Sequence, residues 1–105
     1  MPLVFIGVPT FNGEDYLADT LESLRTQNYQ NILVLISDNF SSDRTLEIVQ
    51  HFCEIDSRFT YVRQNKNIGP KANFDFLLQN RKGKYFLWVA CDDPIEKNFI
   101  LEKVR

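Results

Sequence analysis

An excess of basic charge is the first thing this sequence lacks. Twelve Lys and Arg stand against fourteen Asp and Glu, a formal net charge of −2. Without a positive field, no face is equipped to hold a nucleic acid backbone. A polyanionic partner would have to be small and held locally, or carried by a metal. Cysteine is scarce too. Cys53 and Cys91 form no C-x-x-C pair, and no second pair exists to build a zinc site. The expectation is two reduced thiols in a cytosolic protein. The single histidine, His51, falls in a helical stretch, where a structural role is expected. No apolar run is long enough to span a bilayer; the first covers only residues 3–8. No export signal, internal repeat, linker or low-complexity segment is visible.

What remains is the balance of one soluble globular domain. The chain has 105 residues, 44% apolar and 25% charged, enough for a single core. Its segments alternate. Residues 3–8 are a short apolar run ending at Pro9, which reads as a buried strand. Asn12 offers an N-cap and Gly13-Glu14-Asp15 an acid-rich first turn, with Leu17, Leu21 and Leu24 at helical spacing. A helix over 13–26 is predicted. Residues 32–36 are apolar at every position, as in a strand covered on both faces. Ser41 or Ser42 is the expected cap of a second helix, whose inward stripe is Leu46, Val49 and Cys53 with Phe52 beside it. A weaker strand follows at 59–62. A third helix starts near Gly69-Pro70 and carries Ala72, Phe76 and Leu77. Residues 85–90 form a fourth strand, which its length and Trp88 place at the centre of the sheet. Asp93-Pro94 is expected to open a last helix. This βαβαβαβα order predicts an α/β fold: a Rossmann-like, mostly parallel sheet with right-handed crossovers and helices on both faces.

In an open parallel sheet, ligands bind beyond the carboxyl ends of the strands. Polar residues gather at those ends. Pro9, Thr10, Phe11 and Asn12 follow the first strand, and Ser37, Asp38 and Asn39 the second. Arg63, Gln64, Asn65, Asn67 and Gly69 follow the third, and Cys91, Asp92 and Asp93 the fourth. Parallel strands would bring all four clusters to one rim.

Asp92 and Asp93 are the sharpest feature. Adjacent carboxylates repel by about 1 kcal/mol at ~4 Å in water, and more in a cleft. A hard divalent cation, Mg²⁺ or Mn²⁺, relieves that cost with help from phosphate oxygens. Capping a helix before Pro94 is the competing role for either Asp. Asp38 could accept from a base N–H or a ribose hydroxyl, or make an Asx turn into Ser41; Asn39 carries the same choice. In the run Asn67-Ile68-Gly69-Pro70-Lys71-Ala72-Asn73, a glycine at a loop-to-helix junction offers free amides to phosphate, and Lys71 adds charge. Arg63 is a second candidate phosphate contact, or a solvated strand end. The phenylalanines, Phe5, Phe74, Phe76 and Phe86 among them, read most simply as core.

Taken together, these residues resemble the amino-terminal half of glycosyltransferase family 2, the large inverting family with the A-type fold. Residues 8–17 resemble its opening "hPTYNxExYL" segment. Leu21-Glu22-Ser23-Leu24 with Gln27 is similar to the "LxSLxxQ" helix. Residues 37–45 resemble the "SDNxSxDxT" form of its "DDGSxDxT" loop. Arg63, Asn65, Asn67-Ile68-Gly69 and Ala72-Asn73 resemble the "NxG" loop and helix. Ala90-Cys91-Asp92-Asp93-Pro94 stands where the DxD motif belongs, with Ala90 replacing its first Asp.

The resemblance implies a nucleotide-diphospho-sugar transferase fold over residues 1–105, as the nucleotide-sugar-binding part of a longer enzyme. The backbone at Pro9-Thr10 would lie against the nucleotide, and Asp38 would bind the base. Asn12, Asn39, Arg63, Asn67, Gly69, Lys71 and Asn73 complete the implied donor site. Asp92 would meet ribose, and Asp92 with Asp93 would hold Mn²⁺ or Mg²⁺ on the diphosphate. The implied reaction moves a sugar, with inversion, from a nucleoside-diphosphate sugar to a saccharide or lipid-linked acceptor, as in cell envelope polysaccharide synthesis. The implied place is the cytoplasm, with the inner face of the membrane as a candidate location within it. The family's general base belongs to a later segment, so no residue here is nominated and the chain alone is expected to be inactive. Missing later strands would leave apolar sheet surface exposed, open to a homo-oligomeric partner. The competing expectation is a non-catalytic interaction domain that keeps the fold.

Overall fold

A computed structural model describes residues 1–104. Four strands and four helices alternate: β1 (Val4–Thr10), α1 (Leu17–Arg25), β2 (Ile32–Asp38), α2 (Thr45–Ile55), β3 (Phe59–Arg63), α3 (Pro70–Gln79), β4 (Tyr85–Trp88) and α4 (Phe99–Val104). The strands form one sheet in the order β3-β2-β1-β4, and every pairing is parallel. All four carboxyl ends therefore meet at one rim, as the sequence pattern predicts.

Side chains alternate across a strand, and helices cover both faces. On one face Val4, Ile6 and Val8 join Leu17, Leu21 and Leu24 of α1, Val49 and Phe52 of α2, and Ile100 of α4 in a single core cluster. Each wholly buried leucine stabilises the fold by about 2–3 kcal/mol. On the other face α3 lies so close to β1 that a Cβ on Gly7 would sit 3.2 Å from Leu77 Cβ and 3.1 Å from the Phe86 ring. Only glycine lets that helix approach.

Three local expectations are corrected. β4 is an edge strand paired only with β1, and its Tyr85 and Trp88 are exposed. An apolar run reports burial of some kind but carries no strand order. α1 begins at Leu17 rather than Gly13 and α2 at Thr45, and neither has a side-chain cap. The residues read as caps work elsewhere. Asn12 adopts φ 48°, and its Oδ1 accepts from the Ser42 amide at 2.9 Å. Ser41 Oγ accepts from the Asn12 amide at 2.9 Å. The Gly13 amide donates to Thr45 Oγ1 at 2.9 Å, and the Glu14 amide to Asp43 Oδ2 at 3.2 Å. The loop after β1 is thus zipped to the loop after β2. Last, α4 starts at Phe99, so Asp92 and Asp93 cap no helix.

The opposite rim is held by one cation. Arg58, just before β3, donates to Asp56 Oδ1 at 3.0 Å, Asp56 Oδ2 at 2.8 Å, Gln30 O at 2.9 Å and Arg25 O at 3.2 Å. That hydrogen bond, stronger than the cost of burial, holds the Asp56 carboxyl below its ordinary range. Beside it Tyr29 Oη donates to Pro2 O, and Asn31 Nδ2 to Met1 O at 2.8 Å.

Candidate functional site

A cleft of about 710 Å³ opens at the carboxyl rim. Its walls come from every strand end: Pro9, Thr10 and Phe11 after β1, Asn39 after β2, Asn67 after β3, Pro70, Lys71, Asn73 and Phe74 at the start of α3, and Trp88, Ala90, Cys91 and Asp92 at β4 and beyond. Seven of the predicted donor residues line it: Pro9, Thr10, Asn39, Asn67, Lys71, Asn73 and Asp92.

The β2 end differs from the expectation by one residue. Asp38 is wholly buried and outside the cleft wall. Its Oδ1 accepts from the Ser41 amide at 3.1 Å and from Ser41 Oγ, which is the Asx turn. Asn39 faces the cleft instead. Its Nδ2 donates to Asn67 Oδ1 at 3.0 Å and Gly69 O at 3.2 Å, and its Oδ1 accepts from the Ile68 amide at 2.9 Å. One side chain therefore fixes the whole N-x-G loop. Gly69 caps α3 with φ 86° and ψ 158°, a conformation that a Cβ resists even though open space surrounds it.

The first turn of α3 points its positive dipole end into the cleft. Lys71 lines the wall, but its Nζ is 2.7 Å from Asp75 Oδ2 and its side chain is 88% exposed. The hydrogen bond it donates to Asp75 raises its pKa. Asn73 is 2% exposed and spends its polar atoms on β2: Ser37 Oγ donates to its Oδ1 at 2.6 Å, and its Nδ2 donates to Ser37 O at 3.0 Å. It seats the helix against β2 at the cleft wall. Arg63 lies outside the wall, with Nη2 on Ser41 O at 3.0 Å and its guanidinium 4.8 Å from the Phe40 ring centre. Asn12 is likewise outside, engaged in the loop zipper.

The acidic loop after β4 is placed by one polar stripe on α1. Thr20 Oγ1 donates to Cys91 O at 2.8 Å, Ser23 Oγ accepts from the Ile95 amide at 3.0 Å, and Gln27 Nε2 donates to Glu96 O at 2.7 Å. Asp92 and Asp93 are exposed, and neither carboxylate has a hydrogen-bonded or ion-paired partner among the described residues. Asp92 lines the cleft; Asp93 stands behind it, its amide 3.2 Å from Ala90 O. Among the described residues no three His, Cys, Asp or Glu side chains gather into a complete metal cage. The donor set still fits Mg²⁺ or Mn²⁺, which take one or two carboxylates and leave their other positions to phosphate and water.

Sequence reasoning missed the aromatic wall. Phe11 and Trp88 are exposed, and Phe74 meets Trp88 edge to face at 5.7 Å between centroids. Phe11 stands in a loop directly beyond a strand end, a position where an aromatic has no helix or strand stripe to join, and that was the available signal.

A parallel sheet whose strand-end loops enclose one cleft, with an acid on its far wall, is the architecture of the nucleotide-diphospho-sugar transferases. Residues 5–104 match the family described as Glycosyl transferase family 2, and the chain belongs to it. It is 38% identical over 93 residues to Glycosyltransferase GlyA of Streptococcus pneumoniae serotype 4, covering 89% of this chain and 13% of that protein. It is 31% identical over 96 residues to the GalNAc(5)-diNAcBac-PP-undecaprenol beta-1,3-glucosyltransferase of Campylobacter jejuni, covering 90% and 31%. The fold matches S. aureus TarS 1–349 in complex with UDP-GlcNAc, with TM-score 0.87, 29% identity, and coverage of 99% of this chain and 30% of that one. The chain thus spans less than a third of each of these relatives. No helix among the described residues is long and apolar enough to cross a membrane.

Proposed function

We propose that the chain, over residues 1–105, supplies the donor-binding part of an inverting glycosyltransferase. The reaction moves a sugar from a nucleoside-diphosphate sugar to a saccharide or lipid-linked acceptor. The observation that carries this is the single cleft that joins Thr10, Asn39, Asn67 and Asp92 from four separate loops. The UDP-GlcNAc held by TarS and the undecaprenol-linked substrate in the name of the Campylobacter relative support the donor and acceptor classes. Envelope polysaccharide assembly in the cytoplasm, at the inner membrane face, follows from the same reading.

In this reading the backbone at Pro9-Thr10 and the Asn39–Asn67 clamp bound the nucleoside end, and the amino end of α3 faces the phosphates. The apolar wall of Phe11, Phe74 and Trp88 offers flat surface for stacking. Asp92, with Asp93 behind it, would hold Mn²⁺ or Mg²⁺, which supplies positive charge to the departing diphosphate. No general base is assigned among residues 1–104.

Calorimetric titration with UDP and GDP, with and without Mn²⁺, tests the site. The expected result is binding that Mn²⁺ strengthens and Asp92→Asn weakens by about tenfold, the worth of one charge-assisted contact. Nucleotide binding indifferent to both Mn²⁺ and Asp92→Asn would reject it. The open β4 edge, with Tyr85 and Trp88 exposed, is what favours an interaction domain instead. A stable oligomer without nucleotide binding is the result that reading expects.

A further inference from the structure

We infer that Arg63 is a positioning residue for the cleft: it locks the turn after β2, so that Asn39 stays in the wall, and does not itself touch the donor. The inference rests on the donor-site reading above. Thr10, Asp38 and Arg63 share one register row across β1, β2 and β3. In parallel strands such a row leaves the sheet on one face, and Pro9, Ser37 and Val62 leave on the other. Ser37 is bonded to Asn73 of α3, so Arg63 projects away from α3, and it is not among the residues that line the cleft.

The turn at 38–41 needs holding. Phe40 sits at φ 67°, costly for a bulky side chain. Asp38 Oδ2 is buried without a hydrogen-bond partner among the described residues. Arg63 answers both. Its Nε is 3.6 Å from Asp38 Oδ2, its Nη2 bonds Ser41 O, and its guanidinium covers the Phe40 ring. These contacts bracket Asn39 on both sides along the chain. Asn39 reaches the opposite way, to Asn67, Ile68 and Gly69. The grip on one face of the sheet thereby sets a cleft wall on the other.

Titrating the chain with UDP and with uridine, followed by ¹H–¹⁵N spectra, separates a clamp from a phosphate contact. Arg63→Gln is expected to weaken both ligands by the same factor, about tenfold, the worth of one lost charge-assisted bond. Arg63→Lys is expected to recover part of the loss. The Asn39 side-chain amide signals should shift in Arg63→Gln before any ligand is added. Loss confined to UDP, unchanged binding of both ligands, or unmoved Asn39 signals would each overturn the proposal. Thermal unfolding sets a temperature at which every variant is folded. No UDP binding by the unsubstituted chain would remove the donor reading and this one with it, and that failure is recognised because it needs no variant.

Discussion

The two rims of the sheet are built on opposite principles. At the amino rim Arg58 spends its guanidinium on Asp56, Gln30 and Arg25, and nearby Tyr29 and Asn31 tie down the first residues of the chain. At the carboxyl rim Thr10 Oγ1 and Asp38 Oδ2 are buried without hydrogen bonds among the described residues, and Asn12, Phe40 and Gly69 take positive φ. The same four strands carry both. One end is satisfied and contributes stability. The other stores groups short of hydrogen bonds and strained backbone beside a cleft, which is where such features have a use.

The sharpest way to break this comparison is Arg58→Ala. It takes the guanidinium away from Asp56, whose side chain is 12% exposed, and from the Gln30 and Arg25 carbonyls. The residue 58 amide stays on Asp56 Oδ1 at 3.0 Å, and the Ile32 amide on Gln30 O at 2.9 Å. The expected loss is about 3 kcal/mol in urea unfolding, with UDP affinity unchanged at a temperature where the variant is folded. A parallel loss of affinity would mean that the rims are not separable. Gly69→Ala is the reverse experiment. None of the described residues stands within 4 Å of the added Cβ, so the expected cost is backbone strain, about 1–2 kcal/mol. UDP affinity should fall as well, because the start of α3 is displaced. Unchanged affinity would detach the α3 terminus from the site.

The smallest effect is in acid. The Asp56 carboxyl titrates below its unfolded value of about 3.9 because Arg58 bonds it. A depressed folded pKa adds stability that is complete above the unfolded value and lost as pH falls through the folded one. Below about pH 4, stability should therefore fall more steeply in the parent chain than in Arg58→Ala. Equal slopes in denaturation curves at several acidic pH values would remove Arg58 as the cause.

The element order and the meeting of four loops were legible in the sequence because apolar runs and turn residues alternate cleanly. The family resemblance was legible on other grounds, through five short segments that resemble family motifs in order along the chain. The side of each residue was not. Asp38 and Asn39 are neighbours of similar chemistry, and the pleat sends them to different surroundings, one into the turn and one into the cleft. Asn12, Ser41 and Ser42 looked like caps, but Asn12 bonds across to Ser41 and Ser42 on another loop, which local pattern cannot reveal. Phe74 looked like core because a helix places some aromatics at a cleft mouth with the same spacing that buries others. The role of Ser23 and Gln27 in fixing the acidic loop depends on contacts some seventy residues away.

The zipper between the loops after β1 and β2 has a kinetic corollary. The amides of Asn12, Gly13 and Glu14 all hang on side chains of the other loop, and the Arg44 amide returns a bond to Glu14 Oε2 at 3.3 Å. Their exchange with deuterium is expected to follow one shared opening event rather than four private ones. A ligand that seals the rim would slow these positions in concert, giving a residue-level clock for occupancy that requires no turnover.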